Sequence, residues 1–174
     1  MAEKYDNADM SGFYEFIMPY LKGKKLLDIG CGSGRDIQFY LQKGFKVVGI
    51  DASVEFLKIC KTKYPKLKFF NSTLQNLQIP INNFDVISVV AVWMHLKRFE
   101  YYSAVKSIKK YLKKRGVLIL SYSTNKRDGF DYINYRFLKG LFVKNGFILK
   151  KQKITNDSMN RNIKWITQIY VKIT

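Results

Sequence analysis

The sequence predicts a doubly wound α/β fold: a mostly parallel seven-stranded sheet with helices on both faces, an antiparallel C-terminal strand and an N-terminal helical lid. Three observations predict it. Strand-like and helix-like patterns alternate from about residue 24 to residue 154, the order that a parallel sheet with helical crossovers requires. The first apolar strand runs straight into a glycine-rich turn and then a helix. The last two strand-like segments lie too close together for a helical crossover, so they are expected to pair antiparallel.

Each element has its own reason. Residues 11–21 form an amphipathic helix ahead of the sheet, which makes residues 1–22 the lid and 23–174 the core of one domain. Residues 24–29 read as the first strand, and 35–43 as a helix stopped by Gly44. Residues 46–50 form the second strand. Ser53 then caps a helix with its apolar stripe at Phe56, Leu57 and Cys60, followed by a strand at 67–70. A buried strand covers 84–90. Over 101–114, Tyr101, Ala104, Val105, Ile108, Tyr111 and Leu112 share one helical face, and Gly116 leads into a strand at 117–121. A helix over 131–144 ends at Asn145-Gly146, and strands at 147–154 and 163–173 complete the chain.

Composition bounds the partners. A chain of 174 residues with 47% hydrophobic and 16% aromatic content buries a sizeable core but leaves no room for a separate substrate domain. Its longest nearly uncharged apolar run, residues 86–94, is far shorter than the roughly 20 residues of a membrane span. The N-terminal residues lack the basic-then-apolar layout of a secretory signal, so the expected setting is the cytoplasm, with no membrane partner. Cys31 and Cys60 have no paired spacing and no histidines clustered around them, which argues against a disulfide framework and against a metal site.

The balance of 31 Lys+Arg against 13 Asp+Glu leaves nucleic acid as a partner to be weighed. Only six of the basic residues are arginines, and lysine and asparagine are spread along the whole chain, as codon bias would produce. The most basic stretch, 106–115, reads as the solvated side of an amphipathic helix.

The sharpest feature is Leu26-Leu27-Asp28-Ile29-Gly30-Cys31-Gly32-Ser33-Gly34-Arg35. Glycines let a backbone turn tightly and touch a ligand, although a run used only for the turn would look the same. The spacing Gly-x-Gly-x-Gly differs from the dinucleotide fingerprint, whose third glycine comes one residue later. Asp51, at the end of the second strand and about 20 residues beyond the loop, is placed to accept hydrogen bonds from ribose hydroxyls. Asp28 adds a carboxylate under the loop that suits a cationic group, or that merely bonds loop amides.

With these residues the chain resembles the class I S-adenosylmethionine-dependent methyltransferases, Rossmann-like in fold, and in particular small bacterial members of the tellurite-resistance-like and thiopurine-methyltransferase-like kind. The resemblance extends over Asp9-Met10-Ser11 with Tyr14, the run Asp28 to Asp36, Gly49-Ile50-Asp51-Ala52-Ser53, Phe84-Asp85-Val86 and the stretch around Gly116. It implies S-adenosylmethionine as cofactor and S-adenosylhomocysteine as product. It places Asp28, Gly30, Gly32 and Gly34 on the methionine part, Asp51 on the ribose and Ala52 against the adenine, and counts Cys31, Arg35 and Ala91 among the cofactor-binding residues. The adenine-reading segment falls on Thr73-Leu74-Gln75-Asn76, which contributes Leu74 and Gln75 and has amides where many relatives place an aspartate. Tyr5, Met10 and Tyr14 would belong to a lid over the cofactor.

In such enzymes the segment after the fourth strand borders the methyl group, and here it reads Ala91-Val92-Trp93-Met94-His95-Leu96. His95, the one histidine of the chain, either takes a proton from the acceptor as a catalytic base or packs beside a helix start with no chemical role. Trp93 is a substrate contact or core packing. Near the end of the chain Asp157, Arg161 and Trp165 surround the last hairpin, Arg127-Asp128-Gly129 follows the fifth strand, and Arg161 is placed either to clamp an anionic acceptor or simply to sit at a surface turn. The expected acceptor is a small molecule. RNA or protein methylation by way of the basic surface, and a noncatalytic S-adenosylmethionine-binding module, are the alternatives.

Overall fold

The computed structural model describes residues 8–124, 132–157 and 162–174. Helix α1 (Ser11–Ile17), prolonged by a 3-10 turn (Met18–Tyr20), precedes β1 (Lys25–Ile29). Then come α2 (Ile37–Gln42), β2 (Lys46–Asp51), α3 (Val54–Lys63), β3 (Lys68–Asn71) and β4 (Phe84–Val90). Two 3-10 turns, Trp93–His95 and Arg98–Glu100, lead into α4 (Tyr101–Tyr111) and β5 (Leu112–Ser123); α5 (Tyr135–Lys144), β6 (Phe147–Asn156) and β7 (Lys164–Lys172) close the order.

The strands form one sheet in the order β3-β2-β1-β4-β5-β7-β6. Neighbours from β3 to β5 pair parallel, and β7 pairs antiparallel with both β5 and β6. The doubly wound fold expected from the sequence is therefore present, including the antiparallel C-terminal strand. Successive strand residues face opposite sides, so both faces are apolar. Leu26, Val47, Val86 and Ile119 pack with Ile17, Ile37, Tyr40 and Leu57 on the face covered by α1, α2 and α3. Leu27, Ile50, Ile87 and Leu120 pack with Ala104, Ile108, Leu138 and Phe142 on the face covered by α4 and α5.

Local chemistry sets most element ends. Ser53 Oγ accepts from Phe56 N at 3.3 Å and opens α3, as its position before the stripe predicts. Asn134 accepts from the amides of Arg136 and Phe137, so α5 begins at Tyr135 and not at 131, which itself lies outside the described residues. The helix expected over 35–43 starts at Ile37 because the glycine turn runs on through Arg35.

The largest departure concerns the helix expected over 101–114, which stops at Tyr111. Leu112 turns extended and pairs with Phe84, and the ladder then slips before Val117 meets Val86. The intervening excursion is made possible by Arg115 at φ 63°. Strand pairing here overrides the helical pattern, so part of the lysine stretch belongs to β5.

One of those lysines has a structural task. Lys113 Nζ lies 2.7 Å from Asp85 Oδ1, while Asp85 Oδ2 accepts from the backbone amides of Lys24 and Lys25 at 2.8 and 2.9 Å. Asp85 thus ties the entry of β1 and the β5 excursion to β4. Desolvation pushes its acidity down, but the bonds from Lys113, Lys24 and Lys25 outweigh it and hold the pKa at about 2. A depressed carboxylate pKa stabilises the fold above the unfolded value near 4, and that contribution disappears as pH falls toward 2. Asp85→Asn is expected to cost about 1 kcal/mol at pH 7, kept low by solvent screening, in urea unfolding. The gap to the parent chain should close between about pH 4 and pH 2; a gap unchanged at pH 2 would mean that the charge is not its source.

Candidate functional site

The order of the sheet puts β1 beside β4, and the chain departs from these two neighbours toward opposite edges. That reversal leaves a crevice at the C-terminal ends of the strands, the place where open α/β sheets bind ligands. The glycine turn follows β1, Asp51 ends β2 and Ala91 follows β4, so all three stand on this edge.

Hydrogen bonds fix the turn. The amides of Gly30 and Cys31 both donate to Ile50 O, at 2.8 and 3.0 Å. Gly30 has φ 72° and its α-carbon abuts Val92, so a side chain there would collide. Gly32 has φ 54°, and nothing lies within 4 Å of the point where its β-carbon would be, so this backbone is open toward the cavity. A β-carbon on Gly34 would meet Tyr64 and Cys60, so Gly34 seats the turn on α3 and does not border the cavity.

Asp51 is bound from both sides: Oδ2 accepts from Gly32 N at 2.9 Å and Oδ1 from Ser53 N at 2.8 Å. Its carboxylate therefore joins the glycine turn to the start of α3 and stands on the wall of a cavity of about 720 Å³. Cys31, Arg35, Ala52, Leu74, Gln75 and Ala91 border the same cavity, as does His95, which is exposed at its edge. Gln75 donates its side-chain amide to Glu100 Oε1 at 3.0 Å.

Arg35 is held in a fork. Its Nε and Nη2 donate to the two oxygens of Asp36 at 2.8 and 2.9 Å, and Tyr14 OH, reaching from α1, donates to Asp36 Oδ1 at 2.7 Å. The Tyr14 ring stacks on Phe39 with centroids 4.1 Å apart, which anchors the N-terminal helix beside the turn. Asp28 lies one layer deeper, 3% exposed, and is absent from the cavity wall. Burial, reinforced by the negative charge of Asp36, pushes its pKa up to about 8 against the opposing effects of Arg35 and Ser88.

A second chamber of about 350 Å³ adjoins the first, and Arg35, Val90, Ala91 and Trp165 border both. These four residues form a neck. Ala91 adopts φ 60°, rarely occupied by a residue with a side chain, and is held there by its amide bond to Ser121 O at 2.9 Å. Met10 and Phe13 of the N-terminal segment close one side of the chamber, and Ser121, Thr167 and Asp157 stand on another. Trp165 Nε1 donates to Asp157 Oδ1 at 2.9 Å.

The candidates named from the sequence thus separate. Trp93 must be reassigned from substrate contact to core: it is fully buried, packs edge-on against Tyr101 and leans on Phe142. Its position one residue into a 3-10 turn points it inward, and its Nε1 has no hydrogen-bond partner among the described residues. Arg161, Tyr5 and Arg127-Asp128-Gly129 lie outside the described residues. Sequence reasoning gave no role to Asp36, whose place directly after Arg35 was the available signal, and assigned Phe56 to the apolar stripe of α3, whereas it borders the larger cavity. No helix among the described residues is long and apolar enough to cross a membrane.

A glycine turn, an acidic strand end and a two-chambered crevice on this fold form a nucleotide-binding type of site, and comparison with known proteins gives its family. Residues 27–120, more than half of the chain, match the methyltransferase domain family, and the chain belongs to that family. A ubiquinone/menaquinone biosynthesis C-methyltransferase of Campylobacter jejuni is 26% identical over 151 residues, covering 82% of this chain and 63% of that protein. An uncharacterized Haemophilus influenzae protein is 33% identical over 114 residues, covering 60% of this chain and 44% of its own length. The chain thus spans about half to two thirds of the length of these relatives. In fold it is similar to an S-adenosylmethionine-dependent methyltransferase of Clostridium acetobutylicum, with a TM-score of 0.82 at 14% identity over 99% of this chain and 98% of that one. It is also similar to the 1,6-didemethyltoxoflavin-N1-methyltransferase of Burkholderia thailandensis, solved with its acceptor and S-adenosylhomocysteine, with a TM-score of 0.80 at 16% identity over 98% of this chain and 81% of that one.

Asp28 yields a test with a definite sign. Its pKa of about 8 exceeds the unfolded value, so the folded chain holds a proton that the unfolded chain has released, and stability falls as pH rises from about 4 to about 8. Asp28→Asn removes that loss. The variant is expected to match the parent chain's melting temperature at pH 4 and to exceed it at pH 8.5 by at least roughly 2–4 °C, the shift that 1 kcal/mol produces in a chain of this size. Equal melting temperatures at pH 8.5 would show that Asp28 is solvated.

Proposed function

We propose that this chain transfers a methyl group from S-adenosylmethionine to a small-molecule acceptor, working as one methyltransferase domain with the segment ahead of β1 as its lid. The observation that carries the reading is the pair of adjoining cavities: a cofactor-sized one built on the glycine turn and Asp51 shares Arg35 and Ala91 with a chamber of about 350 Å³, a volume that suits a small acceptor. The Campylobacter and Burkholderia proteins are named for small acceptors, which supports that choice.

The residues present fit the cofactor. The space beside Gly32 admits a ligand against bare backbone, Asp51 offers carboxylate oxygens to ribose hydroxyls, and Arg35 stands on the cavity wall where the carboxylate of an amino acid end could reach it. Ala52, Leu74 and Phe56 provide apolar surface for a purine, with Gln75 and Cys31 beside them. Bound there, S-adenosylmethionine supplies a methyl group already activated by its sulfonium. What remains for the protein is to align the acceptor, exclude water and take up a proton.

Two experiments test this. Calorimetry should give micromolar-range binding of S-adenosylmethionine and S-adenosylhomocysteine, weakened by about 1–3 kcal/mol in Asp51→Ala as hydrogen bonds are lost. A preference for NAD over both would sink the assignment. His95, at the edge of the larger cavity, is assigned the proton that leaves the acceptor. His95→Ala is expected to lower turnover roughly 100-fold with cofactor affinity nearly constant, whereas reduced stability at unchanged turnover would make the histidine structural.

A further inference from the structure

The solvent side of α4 and α5 carries aromatic rings and cations together. Both helices cover the same face of the sheet, so their outer sides point the same way. Along α4, Tyr102, Lys106 and Lys110 recur at four-residue spacing on that side, and all three are exposed. On α5, Arg136, Phe137, Lys139 and Val143 are exposed. The 3-10 turn Arg98–Glu100 joins the two stripes: the Arg98 guanidinium lies 4.6 Å from the centre of the Phe137 ring, and Phe99 beside it is 84% exposed.

Charge on this side has one sign. Glu100 is the only acidic residue from 97 to 124, and from 132 to 151 there is none. Glu100 itself is engaged within the fold, Oε1 accepting from Gln75 and Oε2 from the Lys97 amide at 2.7 Å. Lysines in water follow from the composition, and exposed apolar residues scattered singly are ordinary. Phe99, Tyr102 and Phe137 are not scattered: they gather among the cations of one face. Two of these rings already carry a cation, Arg98 on Phe137 and Lys106 on Tyr102 at 4.8 Å, which takes up a ring face that a stacking nucleobase would need. At the level of lipid headgroups the same arrangement is favourable, since the ring meets the apolar boundary while the cation stays with the phosphates.

We propose that this face docks on an anionic lipid bilayer, with Phe99, Tyr102 and Phe137 at headgroup depth and the surrounding lysines and arginines against the lipid phosphates. The sequence argued against a membrane partner from the lack of a spanning run, but a bilayer surface requires none. Charge complementarity selects this partner: a one-signed cationic face with apolar rings at its centre matches a layer of negative charge with apolar depth behind it. The docked face lies beside the larger cavity. His95 and Leu96, on its wall, come just before the turn that carries Phe99, and Gln75, also on the wall, is bonded to Glu100. Attachment therefore brings the cavity edge near the lipid surface, whatever acceptor the chain methylates.

The test is co-sedimentation of the full chain with vesicles of phosphatidylcholine alone or mixed with phosphatidylglycerol. Binding is expected to the mixed vesicles, with little to the neutral ones, and to weaken as salt is added. Phe99→Ala should reduce the affinity roughly 10-fold, because the buried ring contributes apolar area that charge cannot replace. Phe99→Trp should keep the affinity, and its emission should shift to the blue on mixing with the vesicles. Lys106→Glu combined with Lys139→Glu should cost roughly 10-fold or more, whereas Lys61→Glu, an exposed change on α3 across the sheet, should leave binding nearly intact. Thermal melts matching that of the parent chain show that these surface variants are folded. No binding to the mixed vesicles, an indifferent Phe99→Ala, or an equal loss in Lys61→Glu would overturn the proposal, the last by showing that net charge alone acts. A mixed-sequence single-stranded RNA held more tightly than the vesicles, and lost in Phe99→Ala, would also overturn it by assigning the face to nucleic acid. None of these outcomes bears on cofactor binding, so the methyltransferase reading stands or falls separately.

Discussion

Two backbone amides bonded to one carbonyl hold the site together. By donating to Ile50 O, Gly30 and Cys31 carry the end of β1 over onto β2, and the turn that follows is then closed by Gly32 N on the Asp51 carboxylate. Parallel pairing of β1 with both β2 and β4 makes this junction central to the sheet, so all the elements that border the crevice are placed relative to it. The acidic end of β2 is consequently part of the loop's own architecture: the carboxylate that faces the cavity is also the one that shapes its floor. An isolated Gly-x-Gly-x-Gly segment would have no such partner and no fixed shape.

Around this junction the protein arranges its charges by depth. Among the described residues, Lys113 is tied to Asp85 and Arg35 to Asp36, while the Lys172 ammonium donates to the backbone carbonyls of Lys109 and Leu112. Aspartates collect at the strand ends. Asp28 is the extreme case, a carboxyl held near pKa 8 under the turn, and this is the kind of destabilised group that a bound cation relieves. The same logic extends to Tyr14, whose hydroxyl bonds Asp36 and whose ionisation is pushed far up, by burial first and by Asp36 next. It couples the N-terminal helix to the very arginine that stands in the neck.

Much of this was legible in the sequence because it depends on local order. Alternating strand and helix periods fixed the doubly wound fold, the closeness of the last two strands fixed their antiparallel pairing, and Ser53 before an apolar stripe fixed the start of α3. The glycine run and the aspartate about 20 residues later marked the edge of the sheet where the crevice lies, since both follow directly from strand ends. The late starts of α2 and α5 are local, set by the glycine turn and by the Asn134 cap, whereas the largest misplaced boundary comes from a partner distant in the chain. Leu112 abandons a helical pattern because Phe84 is there to pair with it.

Tertiary structure alone decided the rest. Trp93 and His95 are two residues apart on one 3-10 turn, yet one is sealed in the core and the other stands exposed at the cavity edge, a division set by how the turn docks on Tyr101 and Phe142. The left-handed backbone of Ala91, the neck it shares with Arg35 and Trp165, and the approach of Asp157 to that neck join segments separated by up to 130 residues, counted from Arg35 to Trp165. Periodicity carries the face on which a residue lies, because that follows from neighbours three or four positions away. Which distant faces meet, and whether a cavity or a packed core results, depends on strand order and register, and those exist only once the chain has closed its long-range contacts.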